Sequence, residues 1–185
     1  MSQGDRMERN ELLEKIIQVY APYYDIERFD EAEDGLLVKA VFHEHGTGYL
    51  LVKKAELWTA DRHEYVWIFS VPELTETYFQ EGLKRVRAEG EPLVKPAQGH
   101  MSTDLVAMFI CDEAEEAALT AAKKSRIRKS FQFSLKGWME VQTVIAEVRR
   151  ASVTGNIYAG NTAKFLKNLL QPKPERKKAR LFKIK

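Results

Sequence analysis

The chain has 185 residues, 44% of them hydrophobic, 10% aromatic and 30% charged, with a net charge of +2. This supplies one domain with enough apolar side chain to close a core, and it excludes a chain disordered throughout. No apolar run approaches the roughly 18 residues of a membrane span, the start has no apolar signal core, and Cys111 is the one cysteine. A soluble cytoplasmic protein is therefore expected, with no disulfide within the chain, no membrane partner and no cofactor.

The first element is a helix, since Leu12, Leu13, Ile16, Ile17 and Tyr20 recur at helical spacing and Pro22 ends the pattern. After a short segment at Tyr24 to Phe29, three apolar runs read as strands: Leu36 to His45, Tyr49 to Trp58 and His63 to Val71. Tight connections at Gly46-Thr-Gly48 and Ala60-Asp-Arg62 make them an antiparallel meander. Thr75 to Glu89 reads as a helix closed by Gly90. Leu105 to Cys111 is seven apolar residues in a row, which suits a central strand covered on both faces. Asp112 and Glu115 form a capping-box pattern for a helix reaching about Arg126. Phe131 to Leu135 and Met139 to Val148 read as strands joined at Lys136-Gly137-Trp138, and Phe165 to Leu170 marks a last helix before Pro172. The fold class is α+β: one domain over residues 1–170, with a mixed sheet and about four packed helices, followed by a basic tail at 171–185.

Charge is unevenly spread. Residues 1–122 hold 12 Lys and Arg against 24 Asp and Glu, whereas residues 123–185 hold 17 against 3. Part of the excess needs no ligand, because Lys123, Lys124, Arg126, Arg128 and Lys129 close a helix that opens on acids and so complement its dipole. The tail carries seven bases and one acid, yet Leu181, Phe182 and Ile184 are too apolar for a segment whose only role is solubility. Such a segment can add an edge strand or enter a groove, on this chain or a partner.

Few residues suggest chemistry. His43 with His45, and Asp61 with His63, are pairs at opposite ends of a strand, and neither supplies enough ligands for a metal. Acids follow Cys111 and disfavour a thiolate, so a buried structural cysteine is expected. Gly155 to Thr162 has the glycine spacing of a phosphate-binding loop, but Asn161 stands where the lysine belongs. A milder reading keeps Asn161 or Thr162 as the cap of the last helix, with Lys164 near an anion; the plain reading is a turn before a helix. No Glu-x-Lys falls on a predicted strand, and Glu147-Val-Arg149 is the nearest approach to a nuclease pattern.

The order His100-Met-Ser-Thr103, apolar strand, Arg128-Lys-Ser-Phe-Gln-Phe133, Lys136-Gly-Trp138 and Gly160-Asn-Thr-Ala-Lys164 resembles an uncharacterised bacterial family of unknown function. The resemblance covers most of residues 7–170, implies one domain and carries no activity. His100, Ser102, Thr103 and Trp138 are its candidate pocket, with Trp138 also read as pinning a hairpin to the core.

Three readings follow. The leading one is a non-catalytic interaction or structural module that binds a protein partner or itself through its complementary charge. The second is a nucleic-acid-associated protein, in which the bases at 123–129 share an exposed face with Arg149, Arg150 or the tail, beside exposed aromatics. The third is an enzyme with a cleft joining His100, Ser102 or Thr103 to residues 155–162.

Overall fold

In α1 (Arg9–Tyr20), Leu12, Leu13, Ile16 and Tyr20 are buried along one face, as the 3.6-residue period requires. The structure is a computed structural model that describes residues 7–29, 35–42, 61–96 and 100–171; for Asp61 and His100 it describes the backbone alone. His43, His45, the run Tyr49 to Trp58 and the tail beyond Gln171 lie outside the described residues.

After α1 come β1 (Tyr24–Arg28), β2 (Leu36–Phe42) and β3 (Asp61–Leu74), then α2 (Glu76–Gly90) and β4 (His100–Ala114). They are followed by α3 (Glu116–Lys124), β5 (Arg128–Ser130), β6 (Trp138–Glu147), β7 (Ser152–Gly155) and α4 (Gly160–Leu170). The sheet order is β1-β2-β3-β4-β6-β5, with β7 paired to the later half of β6. Strands β3, β4 and β6 are parallel, and the remaining pairs are antiparallel.

The antiparallel meander exists, but it is built from β1, β2 and β3. Tyr24–Arg28 is a strand rather than a connecting segment, and β2 pairs directly with β3. Because β3, β4 and β6 run the same way, each of the two parallel pairs needs a crossover, and α2 and α3 supply them on one face.

Alternation along β4 sorts the core into two layers. Leu105, Ala107, Phe109 and Cys111 pack with α2 and α3, while Val106, Met108 and Ile110 pack with α1 and α4. Both faces are buried, which is why the strand reads as an unbroken apolar run. The closest approach of helix to sheet is at Gly82 in α2, where an added Cβ would lie 2.7 Å from the Phe109 ring.

Three expected boundaries are corrected. β4 continues through Asp112 to Ala114, because Glu113 and Ala114 still pair with Glu73 and Leu74 of β3. Asp112 therefore caps nothing; α3 begins at Glu116, and the Glu115 carboxylate accepts instead from the Glu76 amide at the start of α2. Residues 131–135 are turn rather than strand, because Ser130 already pairs with Trp138 and the chain must reverse between them. Neither Asn161 nor Thr162 caps α4: Ala159 holds that position, and the Thr162 hydroxyl donates to Gln142 Oε1 at 2.7 Å.

Candidate functional site

The end of α3, β5 and the following turn gather the first group of candidates. Lys123, Lys124, Arg126, Arg128 and Lys129 are all exposed there. The Arg128 guanidinium lies 5.0 Å from the Trp138 ring centroid and 3.7 Å from the Glu140 carboxylate. Trp138 is thus half-buried beneath a cation rather than sealed in the core. Arg149 and Arg150 do not join this group. They sit at the other end of β6, roughly 30 Å away at about 3.3 Å per residue, and pair with Glu113 at 3.1 Å and Glu147 at 3.5 Å.

The turn from Phe131 to Gly137 has three successive non-glycine residues in the left-handed region, Gln132, Phe133 and Ser134, with φ of 46°, 53° and 69°. Hydrogen bonds from the Phe131 amide to the Gly137 carbonyl, the Lys136 amide to the Phe131 carbonyl and the Leu135 amide to the Gln132 carbonyl close it. Left-handed L-residues cost roughly 1–2 kcal/mol each, so the turn survives on this closure. It places Phe133 fully in solvent and leaves Leu135 80% exposed.

Asn156, which carries no signal in the sequence beyond a Gly-Asn turn, ties this edge to α4. It is buried; its Nδ2 donates to the Val141 carbonyl at 2.8 Å and the Ser125 carbonyl at 3.2 Å, and its Oδ1 accepts from the Tyr158 and Ala159 amides. The start of α4, where Asn161 and Lys164 are exposed and Thr162 is half-buried, is thereby held beside the basic edge.

The candidate pocket divides between the two faces of the sheet. Ser102 pairs in register with Trp138, and both lie on the α1/α4 face; Thr103, one residue on, points to the opposite face and is buried. On the α1/α4 face, the rung next to Ser102 and Trp138 is a row that sequence reading missed: Glu64, Asp104 and Glu140, in register on three parallel strands. Asp104 is 2% exposed and accepts from Arg62 Nη2 at 2.7 Å. Tyr24 Oη donates to Glu64 at 2.9 Å. Burial, reinforced by the neighbouring Asp104 charge, raises the pKa of both Glu64 and Glu140. Strand alternation could have revealed the row only with the register of three non-contiguous strands in hand. It lies between Ser102 and Thr162, whose partner Gln142 is in register with Val106.

A groove of about 550 Å³ opens on the other face, where β1 and β2 extend beyond α2. Tyr65, Trp67, Val41 and Leu93 line it, with Asp25 and Glu27 exposed along β1. At its α2 end Glu89 accepts from Trp67 Nε1 at 2.7 Å and Arg85 Nε at 2.9 Å, and pairs with Lys39 at 3.0 Å. Burial pushes this carboxyl up, but the Arg85, Trp67 and Lys39 hydrogen bonds outweigh it and hold the pKa at about 2. β1 is an outermost strand, and no described strand pairs with its outer edge.

Cys111 is buried, and burial with the nearby Glu147 and Asp112 charges pushes its thiol up to about 12, so it keeps its proton at neutral pH. Among the described residues no three His, Cys, Asp or Glu side chains are grouped to hold a metal. No helix among them is long and apolar enough to cross a membrane.

These features define a mixed-sheet α+β domain with an acid-rimmed groove towards one edge and a basic, apolar-tipped turn at the other. The chain belongs to the family named Domain of unknown function (DUF8052), which matches residues 8–168. No curated protein and no solved structure matches it.

Proposed function

We propose that this chain is a non-catalytic interaction module, and that the groove across β1, β2 and β3 is its recognition surface. The observation that carries the reading is the composition of that groove. Tyr65, Val41 and Leu93 offer apolar contact, and Asp25 and Glu27 set negative charge along β1, whose outer edge no described strand pairs. A segment that fits presents apolar side chains among basic ones, in an extended or turn conformation. The 171–185 segment has this chemistry and serves as a probe. A labelled 171–185 peptide is expected to saturate a chain ending at Leu170, with affinity falling about tenfold, or about 1.4 kcal/mol, in Glu27→Lys and in Tyr65→Ser. Equal binding to all three chains would overturn the reading.

A second reading rests on a separate observation: Lys123, Lys124, Arg126 and Lys129 are exposed along the end of α3 and β5, which lead into the turn that carries the fully exposed Phe133. This is the chemistry of a surface that tracks phosphates and stacks on a base. Anisotropy of labelled single-stranded RNA and duplex DNA across a salt series tests it. Binding that weakens with a log–log slope of about −0.7 per phosphate on a single strand, and is lost in Lys123→Glu/Lys129→Glu, supports nucleic-acid contact. Absence of binding at low salt removes it.

A further inference from the structure

The acidic groove and the basic turn are complementary in charge, one a cavity and the other carrying exposed apolar side chains, yet they lie towards opposite edges of one sheet. β1 and β5 are the outermost strands of the order β1-β2-β3-β4-β6-β5, separated by five strand spacings, or roughly 24 Å at about 4.8 Å each. The turn cannot reach the groove of its own molecule without tearing the sheet. We propose that the groove of one molecule receives the β5–β6 turn of a second copy, so that the chain associates head to tail.

The turn is built as a wedge. Phe133 and Leu135 project from it, and the hydrogen bonds that close residues 131–137 fix their direction before any partner arrives. Little conformational freedom is then left to lose on docking. An isolated apolar pair held in water by an unfavourable backbone gains most from a site that covers it. The groove offers that cover through Tyr65, Val41 and Leu93, and its 550 Å³ has room for more than one side chain.

Charge sets the orientation. From Lys123 to Gly137 the chain has six bases and no acid, whereas Asp25 and Glu27 line the groove. Among the described residues that line the groove the one base is Lys39, and its ammonium is paired with Glu89, so these two charges offset each other. The two surfaces differ, so one contact does not use up either molecule: each dimer keeps a free groove and a free turn. Growth continues unless the rotation between copies closes a ring.

This inference rests on the groove being a recognition surface, and the experiment separates the two. Sedimentation velocity of the full chain over a wide range of concentration is expected to show masses above the monomer, falling back towards it at high salt. Two variants each remove one surface at exposed positions: Phe133→Asp/Leu135→Asp in the turn, and Glu27→Lys/Leu93→Lys in the groove. Each alone is expected to be a folded monomer by circular dichroism and mass. Mixed in equal amounts they should form a complex of twice the monomer mass and nothing larger, because only one intact groove and one intact turn remain per pair.

A wild type that stays monomeric at every concentration overturns the proposal; if the 171–185 peptide still binds the groove, the interaction reading survives without it. Association that persists unchanged in both variants places the interface elsewhere. A mixture that stays monomeric while the wild type associates rules out the groove-to-turn contact. A monomeric wild type that binds RNA through Phe133 assigns the turn to nucleic acid instead.

Discussion

Gly82 stands where α2 crosses Phe109, and the Phe109 ring is itself packed against Phe69 at 5.0 Å and Phe79 at 5.3 Å between ring centroids. A methyl group at this position has no flexible neighbour to displace. Gly82→Ala is therefore expected to lower stability by about 1–3 kcal/mol, despite the better helix propensity of alanine, as read from the urea midpoint. A gain in stability would mean that the helix can lift from the sheet. Glu89 acts through its charge. Its folded pKa of about 2 lies below the ordinary glutamate value of about 4.3, so between those limits the unfolded chain binds more protons. The stability it adds is fully present above the upper limit and is lost as pH falls through the lower one. Glu89→Gln should be less stable than wild type at pH 7, with the gap closing in acid; a gap that does not change with pH would disconnect Glu89 from its ion pairs. Glu64 has the opposite sign, because burial raises its pKa and ionisation costs folded stability as pH rises.

At the level of elements, Asn156 joins β6, the end of α3 and the start of α4 through one side chain. Asn156→Ala leaves the Val141 and Ser125 carbonyls without this donor and the start of α4 without its Asn156 acceptor. A loss of about 2–4 kcal/mol is expected, with early hydrogen exchange in α4; an unchanged exchange profile would show that α4 docks through its apolar face alone. This element was legible only as an apolar stripe, since Leu166 and Leu170 mark a buried face but say nothing of what anchors the helix start. The same limit applied to the turn at 131–137. Its Phe, Phe and Leu at alternate positions look like a strand, and only the pairing of Ser130 with Trp138 shows that those residues must reverse the chain. The capping pattern at Asp112 and Glu115 failed for a related reason: the β3 ladder continued to claim the backbone that the helix would have needed.

At the scale of the molecule, the acids Asp25 and Glu27 and the bases from Lys123 to Lys136 become a spatial arrangement, because the sheet order carries β1 to one edge and β5 to the other. A molecule of net charge +2 has little overall repulsion to keep copies apart, while its two poles attract across a contact. Head-to-tail association should therefore weaken as salt rises, since screening reduces the attraction between poles more than the small repulsion. Sequence alone determined what local chemistry can determine: α1, α2 and the central strand through their apolar periods, the inert cysteine through its acidic neighbours, and the charge asymmetry through composition. Tertiary structure decided which strands are neighbours, and with that the Glu64, Asp104 and Glu140 row, the groove on β1 to β3 and the separation of groove from turn. Such features depend on contacts between residues tens of positions apart. Periodicity reports which face of an element is buried, but strand order and register are set by how all the elements pack at once.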